Sequence, residues 1–173
     1  MPRPTAAEQP PAGAQHPRHD DVVVDTNVLG HSDNDGSTRQ GECLDFLIWL
    51  SGEEDRFWTM DDNGKQAPVL DTSLLWAEYN DTLSPVGTAM LLFQQMLGLE
   101  RVCFASRPDQ GLRQRLQRSI PNNKRDRVIL GAACTSATKW LVTCDESDFT
   151  IKVREEYWSD LGVRVTDPLE RAS

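Results

Sequence analysis

Two short apolar runs in this chain each lead directly into an aspartate. VVV precedes Asp25, and WLVTC precedes Asp145. Short, mostly apolar runs are typical of strands buried on both faces of a parallel sheet. Because ligand sites in open α/β sheets lie outside the carboxyl ends of the strands, we expect both aspartates at that edge.

Strand and helix signals alternate along the rest of the chain. We predict strands at 21–25, 69–70, 101–105, 140–143 and 162–166. We predict helices at 38–50, from 73 to 83, and at 86–97, 109–118 and 122–137. The acidic segment 51–67 is interpreted as an excursion that could contain a short strand at 57–60. The alternation predicts a three-layer α/β/α sandwich with a central, mainly parallel sheet.

The chain is long enough for one domain with a single core. Residues 1–20 are rich in Pro and Ala, and we interpret them as a disordered leader before a domain at 21–173. No apolar run reaches the roughly 18 residues that a membrane span needs. The N-terminus also lacks a basic segment followed by an apolar core, so we expect no membrane association and a cytoplasmic location.

The four cysteines lie in apolar contexts without a CxxC pair. This pattern favours reduced, structural thiols over zinc ligands or disulfides.

Two more acids lie near predicted helix starts: Glu78 in LLWAEYNDTL and Asp126 in NKRDRVILGAA. Taken singly, the acids have ordinary explanations: Glu78 as a solvated side chain, Asp126 as a charge that favours the helix dipole, and Asp145 as a helix cap. Taken together, four carboxylates at one edge repel one another unless a cation lies between them. The set predicts a magnesium or manganese site.

Hard divalent ions explain why the predicted ligands are carboxylates and not His or Cys. Two such ions can activate a water, orient it on a phosphodiester and neutralise the leaving oxygen. Asp25, at the end of the first strand, is the candidate central ligand. Asp148, three residues after Asp145, is expected to serve a second ion or to order waters.

Three segments carry a resemblance to a known family. VVVDTNVLG resembles the first motif of PIN-domain nucleases, an apolar strand that ends in Asp-x-Asn. SLLWAEYNDTL resembles the second acidic motif of that family, and NKRDRVILGAACTSATKWLVTCDESDF resembles its closing segment. The similarity spans about residues 22–165, and the closing segment is the most specific part.

The resemblance implies a magnesium- or manganese-dependent endoribonuclease that uses water as the nucleophile. The family's catalytic, metal-binding carboxylates fall on Asp25, Glu78, Asp126 and Asp145, with Asp148 as an auxiliary metal ligand. Asn27 matches a residue that supports the first loop, and Thr143 matches a hydroxyl that orients the site. Stand-alone members are often toxins of toxin–antitoxin pairs, which implies an inhibitory protein partner.

The net charge of −9 hides an uneven distribution. Residues 101–127 hold eight of the 18 lysines and arginines and only two acids. Such a stretch can hold phosphates while the acids bind metal, or it can be a solvated helix face. The cations expected to bind the RNA backbone, with salt-dependent affinity, are Arg113, Arg115, Arg118, Lys124 and Arg125.

Three further interpretations stay open at this point. One is a catalytically silent module of the same fold that binds RNA or a protein. Another is a phosphatase of the haloacid-dehalogenase type, which needs a second acid two residues after the first, where this chain has Asn27. Trp49, Trp76 and Phe93, on predicted helices, belong to the core or to the seam of a homodimer.

Overall fold

The computed structural model describes residues 20–62 and 67–170. Its centre is a five-stranded sheet in which every pairing is parallel. The strands are β1 (Asp20–Val24), β2 (Arg56–Met60), β3 (Val102–Phe104), β4 (Trp140–Val142) and β5 (Arg164–Thr166). The helices are α1 (Thr26–Ser32), α2 (Gln40–Gly52), α3 (Leu74–Thr82), α4 (Thr88–Gly98), α5 (Gln110–Ser119), α6 (Lys124–Thr135) and α7 (Ile151–Leu161). The predicted α/β/α sandwich is confirmed.

The strand order is β3-β2-β1-β4-β5, so the chain reverses direction across the sheet between β1 and β4. Crossovers between parallel strands are right-handed, which places α1 to α4 on one face and α5 to α7 on the other. The contacts agree, because α2 and α4 pack on β2 while α6 packs on β1 and β4. The reversal point is where open α/β sheets form their ligand crevice.

The three valines that precede Asp25 form the middle of the core. Val22, Val23 and Val24 are fully buried, because a central parallel strand is covered by helices on both faces. From Val22 onwards the strand therefore has no place for a polar side chain until it ends. This burial explains why the first charged group after the run falls at the edge of the sheet.

The three aromatic residues considered for the core or a dimer seam, Trp49, Trp76 and Phe93, pack against other aromatic rings of the chain. The rings of Trp76 and Phe93 stack with centroids 5.2 Å apart, and Phe93 meets Trp58 edge to face at 5.0 Å. Trp49 packs against Phe46 at 5.8 Å. These contacts place the three aromatics in or against the core, and a homodimer stays a prediction.

Several element predictions need correction. Residues 69–70 are not a strand: Leu70–Thr72 forms a single 3₁₀ turn, and Val69 is half exposed. The second strand is instead β2, at the place where a short strand within the excursion was considered. Helix α1 was not predicted, because it begins directly after Asp25 with no loop between.

Helix α7 (Ile151–Leu161) was not predicted either, and the boundaries of the remaining elements lie within a few residues of the predictions. The proposed leader, apart from Asp20, lies outside the described residues, and Asp20 already belongs to β1. Among the helices of the described ranges, none combines the length and the apolar character that crossing a bilayer requires.

Candidate metal centre

Asp25 follows the carboxyl end of β1 and lies beside the carboxyl end of β4; these ends are called the exits of the strands below. Its Oδ2 accepts hydrogen bonds from Asn27 Nδ2 at 2.7 Å and from Thr143 Oγ1 at 2.7 Å. The Thr143 hydroxyl accepts from Asn27 Nδ2 at 3.1 Å and from the backbone N–H of Asp145 at 3.0 Å. Asn27 Oδ1 accepts the backbone N–H of Cys144 at 2.9 Å. The side-chain hydrogen bonds from Asn27 and Thr143 both reach the same oxygen of Asp25, Oδ2.

The loop after β4 folds around Asp145. Its Oδ1 accepts the backbone N–H and the hydroxyl of Ser147 at 2.8 and 2.7 Å, and the backbone N–H of Asp148 at 3.0 Å. Burial acts to raise the pKa of Asp145, but these hydrogen bonds outweigh it and hold the pKa below its ordinary value. Asp145 is therefore a carboxylate at neutral pH.

Asp126 lies in the first turn of α6. Asn123 caps this helix: its Oδ1 accepts the backbone N–H of Arg125 at 3.1 Å and that of Asp126 at 3.3 Å. The Asp126 side chain is buried, and with Asp148 it lines a cavity of about 250 Å³ beside α7. Burial, then the charge of Asp148 and then that of Asp25, raises the pKa of Asp126 to about 7.

Glu78 approaches from α3 and is half buried. Its neighbour Tyr79 is fully buried, and the Tyr79 hydroxyl donates to the backbone carbonyl of Val24 at 2.5 Å. Val24 immediately precedes Asp25, so this bond joins α3 to the exit of β1. The start of α3 is fixed too, because Ser73 Oγ accepts the N–H of Trp76 at 3.0 Å.

The acids influence one another across four separate segments of the chain. Burial, opposed by the hydrogen bond from Thr143, raises the pKa of Asp25 to about 6, and the charges of Glu78 and Asp145 add to the rise. The charges of Asp148, Asp25 and Asp145 likewise add to the effect of burial and raise the pKa of Asp126. The structure therefore brings the predicted acids into one electrostatically coupled cluster.

The carboxylates of the cluster do not all converge on a single point. Across residues 20–62 and 67–170, no three of these acids present oxygens that all lie within 4.8 Å of one another. A single ion therefore cannot contact three of the carboxylates in this arrangement. The donor set still fits magnesium or manganese, because these ions accept one or two carboxylates each and complete their shell with waters. The four acids and Asp148 would hold the ions.

The predicted RNA-binding cations divide between two surfaces. Lys124 and Arg125 line one cavity together with Glu78, and Arg113 lines a neighbouring cavity together with Lys124. The guanidinium of Arg115 donates to the backbone carbonyl of Asp160 in α7 at 3.4 Å. Arg118 donates to the carbonyl of Gln114 in its own helix at 3.4 Å. Of these five cations, Lys124 and Arg125 thus share a cavity with one of the acids.

A second group of possible metal ligands lies behind the site. One ligand atom each of Glu42, Cys43 and Cys144 lies within 4.8 Å of the other two. The two sulfurs are 3.3 Å apart, and this hydrogen bond, followed by burial, raises the pKa of the Cys144 thiol. The carboxylate of Glu42 is paired with Arg39. Soft sulfur ligands and a carboxylate already paired with arginine do not suit a hard divalent ion.

Arg39 fixes the loop that contains Asp145. Its guanidinium donates to the backbone carbonyl of Cys144 at 3.0 Å and pairs with Glu42 and Asp167. It joins the start of α2, the exit of β4 and the segment after β5. Sequence reasoning missed both Arg39 and Tyr79, because each acts through a backbone carbonyl far away along the chain. An arginine before a helix and a tyrosine next to Glu78 were the only signals.

Comparisons with known proteins do not identify this chain. No protein-family model matches it, and no curated protein is similar enough to count as a relative.

Proposed function

We propose that this protein is a magnesium- or manganese-dependent endoribonuclease related to the PIN-domain nucleases. The observation that supports it best is the electrostatic coupling of Asp25 and Asp126, whose pKa values rise to about 6 and about 7 at the crevice of the sheet. Buried carboxylates that repel one another gain stability from a bound cation. The position of the cluster at the reversal of the strand order agrees with a ligand site.

The bound divalent ions would supply the activation of water and the neutralisation of charge on the phosphodiester. The protein's own part is to fix the carboxylates. Asn27 and Thr143 hold Asp25 by one oxygen, and Thr143 also accepts the N–H of Asp145, so these two acids keep a fixed relation. The charge of Asp148 opposes the ionisation of Asp126, and a bound cation would relieve that repulsion.

RNA is the proposed substrate because cations border the acids. Lys124 and Arg125 lie in the same cavity as Glu78, where phosphate oxygens next to the cut bond would be bound. Contacts of this kind give affinity that falls with salt and carries no sequence choice. Cleavage would release a 5′-phosphate and a 3′-hydroxyl, with no covalent intermediate on the protein.

The test compares Asp25→Asn with the wild type on a generic single-stranded RNA in manganese. We expect cleavage by the wild type and a loss of at least about a hundredfold in the variant, because the substitution removes a ligand charge. Asp45→Asn is the matched control, since Asp45 is exposed on α2 away from the cluster. Retained RNA binding with no cleavage by either protein would favour the silent binding module.

We extend the proposal to the biological setting on the family resemblance alone. A toxin role would give the protein an inhibitory protein partner and a site of action in the cytoplasm. Expression of the wild type in a bacterial host should then arrest growth, and expression of Asp25→Asn should not. Equal growth with both would remove the toxin role and leave the nuclease proposal untouched.

A further inference from the structure

A cavity of about 500 Å³ lies between α5, α6 and the start of α3. Its wall is mainly apolar and is formed by Leu74, Pro108, Leu116 and Val128. Gly131 lets this wall close on α6, because a Cβ there would come within 3.1 Å of Pro108 Cγ and 3.3 Å of Leu116 Cδ1. The result is a pocket with an apolar interior large enough for one small organic ligand.

The rim of this cavity is cationic. Its basic residues are Arg107, Arg113, Lys124 and Arg127. Within the described residues, no ion pair joins any of them to a carboxylate. Of the two acids in the lining, Asp61 is hydrogen-bonded to the start of α3. Its carboxylate accepts hydrogen bonds from the Ser73 hydroxyl at 2.7 Å and from the backbone N–H groups of Leu74 and Leu75 at 3.1 and 2.8 Å. With four basic residues against the two acids Asp61 and Asp62, the lining has a net positive charge, which favours an anion.

The cavity adjoins a second cavity that contains one of the acids. A smaller cavity of about 230 Å³ lies between α3 and α6 and contains Glu78. Leu74, Lys124 and Val128 line both cavities, so Lys124 stands at their junction. A chain of phosphates that passes Lys124 would thus run from the acids into the apolar pocket.

We propose that this cavity binds one unstacked nucleotide of a single-stranded RNA, next to the phosphate that is cut. The inference rests on the proposed nuclease function and adds the path of the substrate strand. The apolar wall fits the flat face of a base, and the rim fits the phosphates on either side of it. A base in a duplex is stacked and paired, so only an unpaired strand can place one in the pocket.

The test measures RNA binding with the metal chelated, so that no strand is cut. A fluorescent single-stranded oligoribonucleotide is titrated at several salt concentrations. For Arg107→Ala/Arg113→Ala we expect the magnitude of the slope of log K against log salt to fall by about 1.4, which is about 0.7 for each lost phosphate contact on a single strand. The control, Arg115→Ala/Arg118→Ala, removes the same charge from α5 without altering the cavity. An equal loss of slope in the control would overturn the proposal.

A photocrosslink locates the base itself. An oligoribonucleotide that contains 4-thiouridine should crosslink to residues 106–117 or 124–132, and the same sequence in a duplex should not. Crosslinks elsewhere would overturn the proposal, even if manganese-dependent cleavage is found. Crosslinks at this place without any cleavage would remove the nuclease function and keep the nucleotide site. A nucleoside monophosphate that binds as tightly as the strand would show a site for free nucleotide and overturn the strand path.

Discussion

At the scale of single residues, the surroundings of each carboxyl decide its protonation. Asp145 accepts three local hydrogen bonds and is held as an anion, whereas Asp126 is buried beside Asp148 with no comparable donors. Asp25 lies between these cases, because Asn27 and Thr143 offset part of the cost of its burial. The cluster therefore contains acids that ionise readily and acids that need a cation to do so.

We expect Asp126→Asn to stabilise the metal-free protein at high pH. The pKa of Asp126 in the folded protein, about 7, lies above its ordinary value of 3.8, so the folded state binds more protons than the unfolded chain between these values. The free energy of unfolding therefore falls as pH rises through this window. Relative to the wild type, the free energy of unfolding of the variant should be higher by about 1–2 kcal/mol at about pH 8 and nearly unchanged at about pH 4.

Urea unfolding in a chelator measures this difference. Asp45→Asn serves as the control and should shift the free energy of unfolding by less than about 0.5 kcal/mol at either pH. A gain for Asp126→Asn that is the same at both pH values would contradict the coupling between the acids.

A site residue could be predicted from the sequence when its neighbours along the chain indicate where it lies in the fold. Asp25 and Asp145 each follow an apolar run, and the end of a buried strand is the first place that can hold a charge. Tyr79 and Arg39 could not be predicted as supports of the site. Their partners are the carbonyls of Val24 and Cys144, and a carbonyl has no signature in the sequence.

At the scale of elements, two side chains set the position of the segments that contain the acids. The Tyr79 hydroxyl ties α3 to the exit of β1, and it also accepts Trp58 Nε1 at 3.4 Å. Arg39 ties the exit of β4 to α2 and to the segment after β5. Each bond reaches the backbone next to an acid, so each controls where that acid lies.

Tyr79→Phe should lower the free energy of unfolding by about 1–2 kcal/mol. The substitution leaves the Val24 carbonyl and the Trp58 indole N–H buried without their partner. Tyr157→Phe is the matched control, because the Tyr157 hydroxyl makes no hydrogen bond to the residues that the structure describes. Chemical denaturation of both variants checks the prediction, and equal losses would show that the Tyr79 bond contributes nothing.

Arg39→Ala should cost about 2 kcal/mol of stability and also weaken manganese binding. The first effect comes from lost charge-assisted hydrogen bonds, and the second from release of the loop that contains Asp145. Lys152→Ala is the control, since Lys152 pairs with Glu156 at 3.8 Å on the exposed face of α7 and should change stability by less than about 0.5 kcal/mol. Unchanged manganese affinity in Arg39→Ala would show that the loop is held by other contacts.

The elements were predictable where the apolar pattern was long enough. The segment 69–70 offered only Val-Leu, too short to separate a strand from a turn, and it forms the turn. The strand β2 contains Arg56 and Thr59 and lies in an acidic segment, so the sequence indicated it only as a short strand that 57–60 could form. The sheet buries it nonetheless, because Trp58 and Met60 face the core.

At the scale of the whole molecule, the fold joins segments that are far apart in sequence. Asp25 and Asp145 follow neighbouring strands, and Val24 pairs with Val142 in the register of the sheet. The repulsion among the acids is then a property of the folded state alone. Anything that relieves this repulsion stabilises the fold as a whole.

Manganese should therefore raise the melting temperature. At a concentration of about a hundred times Kd the gain is about 2.7 kcal/mol, which corresponds to roughly 5–10 °C for a chain of this size. The shift should disappear in an Asp25→Asn/Asp126→Asn double variant and persist in Asp45→Asn. Differential scanning calorimetry with and without a chelator measures it, and a shift that survives in the double variant would place the ion elsewhere.

Because the chain crosses the sheet in both directions, a single cut in the chain can divide the acids between two fragments. Asp25 and Glu78 precede β3, while Asp126 and Asp145 follow it, so a cut in the exposed connection at Ser106 would separate the acids into two pairs. Neither fragment contains β1 together with β4, and these two strands supply the paired edges beneath the cluster. Capture of a divalent ion would then report that the fragments had reassembled.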